Sequence, residues 1–239
     1  MRISAVVLCL CLCLCAVPPA HAQSVASLVT SLPADFGHLF TPTNGIIAGV
    51  GGAGSAAIHP KDDEIAEDVF ESSGGRHDFF RAGATVGDGV EQGALALAVY
   101  AAGRLSHHTA VGVAGADLID AQIVNGVLTQ GIKVATERRR PSGGPHSFPS
   151  GHTSATFATA EVLREHFGWR WGVPAYAVGA YVSMSRMVDN KHWASDVVFG
   201  AAIGLISGRA ASMGHVSRAV SVSPAFLPGG VAIVGVVRR

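Results

Sequence analysis

Cysteine is almost absent from this chain of 239 residues, and where it occurs it is confined to the N-terminal segment. That segment is apolar, follows Arg2 and ends before the small-residue triplet Ala20-His21-Ala22, which is the form of a secretory signal peptide with its cleavage site. We therefore predict that residues 1–22 are removed during export to a periplasm or to the medium. The exported chain then lacks cysteine, which excludes disulfide bonds and thiol catalysis. The cysteines that export removes are Cys9, Cys11, Cys13 and Cys15.

An excess of charge of either sign is also lacking. The chain has 17 Lys and Arg against 17 Asp and Glu, and only 14% of its residues are charged. This balance does not favour a nucleic-acid partner, which would need a basic face. After residue 22, charged side chains such as Asp88, Arg104, Asp117 and Asp120 interrupt the apolar runs before they reach the ~18 residues that a membrane span needs. The sequence therefore predicts one exported domain, residues 23–239, that is soluble or in peripheral contact with a membrane.

Apolar residues recur at helical spacing through most of the exported chain, and many of them are small. The pattern predicts an all-α fold, a bundle of about six helices that pack closely through alanine and glycine. The predicted helices cover 45–58, 89–105, 109–139, 151–167, 173–187 and 192–213. Residues 23–44 contain Pro33 and Pro42 and are interpreted as an irregular arm. Alternating β-branched residues around a Pro-Gly-Gly turn predict a short C-terminal β-hairpin.

Several local patterns have an ordinary interpretation. Gly49, Gly51 and Gly54 match the G-x-G-x-x-G pattern of dinucleotide-binding folds, but no series of strands accompanies them, so we interpret them as part of a closely packed helix. The acidic run at 62–68 is interpreted as the solvated start of a helix rather than as a metal site. The arginine run at 138–140 is interpreted as charged surface, except for Arg140. His146 is interpreted as a solvated loop residue, with contact to a substrate as the alternative.

The stretch from 133 to 196 concentrates cations, two histidines and a carboxylate. Lys133, Arg140 and Arg186 can surround a tetrahedral oxyanion, because arginine offers a fork of donors and lysine a point charge. Ser150 precedes an apolar run and is predicted to be a helix N-cap, and Gly151 allows an anion to approach the free backbone N–H groups of that helix. The combination indicates a phosphate-binding site.

The histidines supply the remaining chemistry. His192 and Asp196 are four positions apart, which places both side chains on one face if the segment is helical. A carboxylate on one imidazole nitrogen fixes the tautomer and leaves the other nitrogen free to attack phosphorus. We therefore assign His192 as the nucleophile, oriented by Asp196. His152 is assigned as the acid that protonates a leaving alkoxide and then activates water.

Three motifs in this stretch resemble those of the type 2 phosphatidic acid phosphatase superfamily, which also includes vanadium-dependent haloperoxidases and bacterial non-specific acid phosphatases. The family carries K-x6-R-P, P-S-G-H and S-R-x5-H-x3-D, and the chain has them without substitution at 133–141, 149–152 and 185–196. Only seven residues separate Pro141 from Pro149, fewer than in many members, so the loop that shapes substrate access does not carry over. The resemblance implies catalytic roles for His192, His152 and Asp196 and phosphate contacts from Lys133, Arg140, Ser150, Gly151 and Arg186.

These observations predict an exported phosphatase that hydrolyses phosphomonoesters or diphosphates through a phosphohistidine intermediate. The cations supply positive charge without a carboxylate cage for magnesium or zinc, so neither a metal nor another cofactor is expected. The resemblance favours lipid phosphates as substrates over small soluble phosphoesters. Two alternatives remain open from the sequence: a haloperoxidase that holds vanadate on His192, and a non-catalytic envelope protein that keeps the fold only for packing.

Overall fold

The computed structural model describes residues 25–72, 77–213, 215, 220–227 and 230–237. The predicted signal peptide and its cleavage site at Ala22 lie outside the described residues. The described residues form nine α-helices, one short 3-10 helix (His59–Lys61) and two strands. These are α1 (Val25–His38), α2 (Pro42–Ile58), α3 (Asp62–Ser72), α4 (His77–Val86), α5 (Gly89–Leu105), α6 (Thr109–Thr136), α7 (Gly151–Phe167), α8 (Trp169–Val188), α9 (Ala194–Ser212), β1 (Val220–Leu227) and β2 (Gly230–Val237).

The predicted fold class is wrong in two respects, although its helical character is right. The described residues contain nine α-helices rather than about six. At the C-terminus, β1 and β2 pair antiparallel with each other, but among the described residues neither strand packs extensively on a helix, so the helical bundle does not include the packed hairpin that was predicted. The domain is therefore all-helical, without the packed hairpin that the sequence suggested.

The segment interpreted as an irregular arm is helical from residue 25 onwards. Pro33 lies inside α1, and Pro42 occupies the first turn of α2, where a backbone N–H has no intrahelical partner to lose. The hydroxyl of Thr41 caps α2 by accepting the N–H of Asn44 at 3.3 Å, and the Asn44 side chain donates to the carbonyl of His38 at 2.9 Å. Pro42 therefore begins α2, and Pro33 does not prevent α1 from forming.

The central helix of the bundle is α6, which packs against α1, α5, α7 and α9. Its buried Leu118 meets Val99 of α5 and Val162 of α7 in one hydrophobic cluster. The helix ends at Thr136, because Glu137 adopts a left-handed conformation with φ 45°. The end lies earlier than the predicted residue 139, and Pro141 is not the residue that stops it. Lys133 thus occupies the last turn of a helix that close packing holds in place.

Three glycines on α9 bring its backbone directly against α7. A Cβ atom added at Gly200 would lie 2.7 Å from the carbonyl oxygen of Ser150, and one at Gly204 would lie 2.3 Å from that of Ser154. At Gly208 the corresponding distance to the carbonyl oxygen of Ala158 is 2.6 Å. Real Cβ atoms do not approach backbone this closely, so only glycine fits these positions. This contact sets the start of α9 beside the start of α7.

Replacing Gly204 with alanine is expected to destabilise the domain by about 1–3 kcal/mol, because the added methyl group overlaps the α7 backbone, which cannot move aside as a side chain would. Gly126→Ala in α6 is the matched control, since an added Cβ there meets nothing within 4 Å. That control should be neutral or more stable by up to about 1 kcal/mol through helix propensity. Thermal unfolding of the purified variants measures both effects. An unchanged melting temperature in Gly204→Ala would contradict the close contact.

Acidic residues that seemed to interrupt α6 are buried and have partners. Asp117 accepts from the Nε2 atom of His166 at 2.7 Å, and Asp120 accepts from the Ser31 hydroxyl at 2.7 Å. Burial, together with the charge of Asp120, raises the pKa of Asp35 to about 7, and burial raises the pKa of Asp120 to about 6. Asp117 and Asp120 therefore belong to the buried core of the fold.

Within the part of the chain that the structure describes, two helices, α6 and α9, are long and apolar enough to cross a membrane by length and composition. In each of them 67% of the most apolar window is buried within the fold, as in the core helices of soluble proteins. The sequence predicts no membrane span because charged residues interrupt the apolar runs. That argument does not hold for α6, because Asp117 and Asp120 are buried within the fold.

Candidate active site

The predicted site residues come from the ends of four helices. Lys133 lies in the last turn of α6, Ser150 to His152 begin α7, Arg186 lies in the last turn of α8, and Asp196 lies in the first turn of α9. Backbone hydrogen bonds join these ends, since the N–H of Ser150 donates to the carbonyl of Asp196 at 3.0 Å and the N–H of His192 donates to that of Arg186 at 3.3 Å. The second and third motifs therefore meet at one place, and Lys133 of the first motif lies against Gly151 of the second.

Ser150 is the N-cap of α7. Its Oγ accepts from the backbone N–H of Thr153 at 3.5 Å and from the Thr153 hydroxyl at 3.0 Å. Gly151 is then the first residue of the helix, where N–H groups have no intrahelical acceptor. An added Cβ at Gly151 would lie 3.8 Å from Cε of Lys133, which places the lysine stem against this helix start. The arrangement offers a helix N-terminus beside a cation, and both favour an anion.

The short loop between the first two motifs positions both of its neighbouring cations. Nζ of Lys133 donates to the carbonyl of His146 at 2.7 Å, and Nε of Arg140 donates to the carbonyl of Pro145 at 3.1 Å. Burial and the nearby Arg140 guanidinium lower the pKa of Lys133 to about 8. His146 is half-buried and takes part through its backbone carbonyl, with φ 60°. Its contact with a substrate stays a prediction.

Arg186 is buried at the end of α8. Its Nη2 atom donates to the carboxylate of Asp189 and, at 3.1 Å, to the hydroxyl of Ser185. Its Nε atom is buried and has no hydrogen-bond partner among the described residues. Burial lowers the pKa of Arg186 from its usual range. A buried guanidinium with a free N–H can bind an anionic oxygen strongly, because water does not screen the pair.

His192 precedes α9 rather than lying within it, which corrects the assumption that both members of the pair are helical. Asp196 is the third residue of α9, and its Oδ2 atom lies 3.5 Å from Nδ1 of His192. The imidazole is buried, and burial lowers the pKa of His192 despite the nearby carboxylate. Because Nδ1 faces the carboxylate, Nε2 is the ring nitrogen on the other side of the imidazole, and its role as an attacking atom stays a prediction.

Asp196 has partners that the sequence did not reveal. Its Oδ1 atom accepts from Nη1 of Arg138 at 2.6 Å, and its Oδ2 atom accepts from the backbone N–H of Trp193 at 2.9 Å and from the hydroxyl of Ser147. Arg138 also binds Asp62 at 2.7 Å. The interpretations of Arg138 as surface charge and of Asp62 as solvated are therefore wrong. A run of three arginines carries no signal that its first member is partly buried between two carboxylates.

His152 lies on the first turn of α7 with its Nε2 atom 3.9 Å from a carboxylate oxygen of Asp88. Burial and the charge of Arg186 lower the pKa of His152 to about 4, whereas Asp88 acts in the opposite direction. An anion bound among the cations would favour the protonated form, as a general acid requires. Asp88, the N-cap of α5, was not identified from the sequence because its cap role gives no sign of this contact.

Because the pKa of Lys133 is lowered to about 8, anion binding at this site is expected to depend on pH. Inhibition by inorganic phosphate is expected to weaken by up to about tenfold per pH unit above a pH of about 8, because Lys133 then loses the proton that binds the anion. In Lys133→Arg, where the cation keeps its proton, this alkaline weakening should disappear. The measurement is the inhibition constant of phosphate across neutral and alkaline pH. Lys61→Arg, an exposed exchange, is the control, and a flat wild-type profile up to pH ~10 would contradict the prediction.

Among the described residues, no group of three or more His, Cys, Asp or Glu side chains is placed to hold a metal ion.

Comparison with known proteins agrees with the motifs. Residues 114–218 match the PAP2 superfamily. A lipid A 1-phosphatase of Porphyromonas gingivalis is 38% identical over 96 residues, which are 38% of this chain and 21% of that protein, so the match spans about a fifth of the relative's length.

Two crystal structures share the fold. A transmembrane PAP2 type phosphatidylglycerolphosphate phosphatase from Bacillus subtilis superposes with a TM-score of 0.56 at 18% identity, covering 78% of this chain and 93% of that one. LpxE of Aquifex aeolicus superposes with a TM-score of 0.54 at 21% identity, covering 63% of this chain and 93% of the other. The predicted resemblance is thereby confirmed. All three motifs lie inside residues 114–218, the segment of this chain that matches the PAP2 superfamily.

Proposed function

We propose that this chain is an exported phosphatase that removes phosphate from a lipid through a phosphohistidine intermediate on His192. The observation that carries the proposal is that two buried cations lie at the first turn of α7: Lys133 is against Gly151, and Arg186 is close enough to His152 to lower its pKa. A buried histidine, His192, faces the carboxylate of Asp196 beside them. Such a site can bind a phosphoryl group, attack it and protonate what leaves, so it supports group transfer to an internal nucleophile.

The proposed reaction has two displacement steps. In the first, Nε2 of His192 forms a bond to phosphorus while the bond between phosphorus and the leaving oxygen breaks, and His152 gives that oxygen its proton. In the second, water attacks phosphorus as it gives a proton to His152, and the nitrogen–phosphorus bond breaks to release inorganic phosphate. Lys133, Arg140 and Arg186 hold the phosphoryl oxygens in both steps, where negative charge accumulates.

A lipid substrate is supported by the relatives and by the surface of the chain. Two of the similar proteins are named for lipid phosphates, lipid A and phosphatidylglycerolphosphate. Large apolar side chains also stand exposed on several helices, and contact with lipid would remove them from water. They include Leu97, Leu105, Val127 and Trp169. We therefore place the chain in contact with a membrane, where phosphorylated head groups are available.

A substrate panel tests this proposal. The purified chain in mixed micelles is offered lipid A, phosphatidylglycerolphosphate, phosphatidic acid, a prenyl diphosphate and nucleotides, each with and without a chelator. We expect phosphate release from lipid substrates, unchanged by the chelator. Strong preference for nucleotides would contradict the lipid assignment, and loss of activity in the chelator would contradict the metal-independent mechanism. Halogenation of a dye with vanadate, peroxide and bromide in place of phosphate release would support the haloperoxidase instead.

A further inference from the structure

The guanidinium of Arg138 lies between two buried carboxylates, those of Asp62 and Asp196. Nη1 of Arg138 donates to Oδ1 of Asp196 at 2.6 Å and to the hydroxyl of Ser195 at 2.7 Å, while Nη2 donates to Oδ2 of Asp62 at 2.7 Å. The side chains of Asp62 and Asp196 are 4% and 0% exposed, and that of Arg138 is 22% exposed. Buried charge pairs of this kind interact strongly because solvent screens them little.

Asp62 is held in place by further donors, so it is a fixed partner for Arg138. It accepts from the backbone N–H of Ser195 at 3.0 Å and also binds the Ser195 hydroxyl and Nδ1 of His59. Burial alone would raise the pKa of Asp62, but these hydrogen bonds and the one from Arg138 outweigh it and lower the pKa. Asp62 is therefore charged at neutral pH, and it competes with Asp196 for the charge of one arginine.

Asp196 in turn has both oxygens occupied. Arg138 binds Oδ1, while Ser147 and the backbone N–H of Trp193 bind Oδ2, which is the oxygen nearest to His192. These contacts fix the plane of the carboxylate. The positive charge of Arg138 also neutralises part of the negative charge that Asp196 presents to His192. The extent depends on Asp62, because Arg138 donates to both carboxylates.

We propose that Arg138 and Asp62 are positioning residues, which together fix the orientation of Asp196 and set how much of its negative charge reaches His192. The inference rests on the proposed role of His192 as nucleophile. Both residues act through Asp196, and neither is assigned a contact with the phosphoryl group. Asp62 lies on α3, outside the segment that matches the family, so the control of the nucleophile extends beyond the three motifs.

The direction of the effect follows from the charges around His192. Asp196 favours its protonated form, whereas Lys133 and Arg140 oppose it, as does burial. The imidazole of His152 lies close enough to interact as well. Removing Arg138 exposes His192 to the full charge of Asp196 and raises its pKa. Removing the charge of Asp62 leaves Arg138 to neutralise Asp196 more completely and lowers the pKa of His192.

The pH profile of kcat/KM separates this role from a merely structural one, because the nucleophile must be neutral and its pKa sets the acidic limb. Arg138→Met is expected to lower kcat/KM about tenfold or more and to move the acidic limb to higher pH by about half a unit or more. Asp62→Asn should move the limb to lower pH. Arg138→Lys, which keeps the charge, should restore the wild-type limb in part. Arg139→Met is the matched control, since Arg139 is exposed, and should leave the profile unchanged.

Shifts of the limb in the same direction for Arg138→Met and Asp62→Asn, or activity losses without any shift, would overturn the inference. If Arg138→Met does not fold, Asp62→Asn and Arg138→Lys decide the direction. The proposed function is tested separately: it fails if the wild-type protein releases no phosphate or if activity survives the loss of His192. The positioning role of Arg138 and Asp62 fails if the shifts of the acidic limb have the wrong direction or are absent.

Discussion

Replacing His192 with alanine is expected to reduce phosphate release about a thousandfold or more, because His192 is the group proposed to form the covalent intermediate. The buried imidazole faces Asp196 through Nδ1, which leaves Nε2 as the attacking atom. Alanine removes that atom and leaves the surrounding cations in place. The variant should therefore still bind inorganic phosphate while it fails to turn substrate over.

Two measurements check this prediction. Turnover of a phosphate-labelled lipid gives kcat, and rapid quenching in base, which preserves the bond between phosphorus and the histidine nitrogen, gives the amount of label attached to protein. Wild-type protein should carry label on His192 and the variant should carry none. His107→Asn is the matched control, because His107 lies outside the site with φ 58°, a conformation that asparagine tolerates. Label or turnover that survives in His192→Ala would contradict the phosphohistidine mechanism.

Replacing Arg186 with alanine is expected to lower kcat/KM by about 10²–10⁴-fold, because its charge is held where charge builds up in the transition state. Its Nη2 atom is anchored to Asp189, while its buried Nε has no hydrogen-bond partner among the described residues. Arg186→Lys should recover only part of the activity, since an ammonium group cannot hold Asp189 and a phosphoryl oxygen with the same planar fork.

Steady-state kinetics of Arg186→Ala on the preferred lipid substrate measure this effect. Arg81→Ala is the matched control, because Arg81 pairs with an aspartate, Asp78, in the same i, i+3 geometry, but with its side chain 83% exposed. The control should be near neutral, as exposed ion pairs contribute little. A rise in KM with unchanged kcat would show that Arg186 binds the substrate and the transition state equally, contrary to the role proposed for it.

The helices that carry the site were predictable because their signals are local. Ser150 before an apolar run gives the start of α7, and regular small-residue spacing gives α5 and most of α6. The end of α6 was placed too late, because the left-handed conformation of Glu137 has no mark in a sequence without glycine at that position. Helix α1 was missed because a single proline was given more weight than the surrounding residues.

The contacts between charged residues that are far apart in the sequence could not be predicted, and the reason is different. Arg138 and Asp62 are 76 positions apart, and neither residue type nor spacing pairs them before the fold is known. The acidic run at Asp62 resembled the solvated start of a helix, which describes Asp63 and Glu64 but not Asp62. The same applies to Asp117 and His166, which the fold brings together in the core. Long-range pairing of charges depends on the tertiary structure and leaves no periodic pattern.

The loop at residues 142–148 tethers Lys133 and Arg140 through main-chain carbonyls of His146 and Pro145. A carbonyl is supplied by any amino acid, so the side chains of this loop are available for redesign while the tethers persist. Ser147 is the exception, because its hydroxyl binds Asp196. Gly143, with φ 88°, and Phe148, whose ring stacks on that of Phe199 at 4.9 Å, are constrained as well. A library that keeps the seven-residue length and these three residues but varies the other positions would change the loop surface and leave the carbonyls that hold the two cations in place.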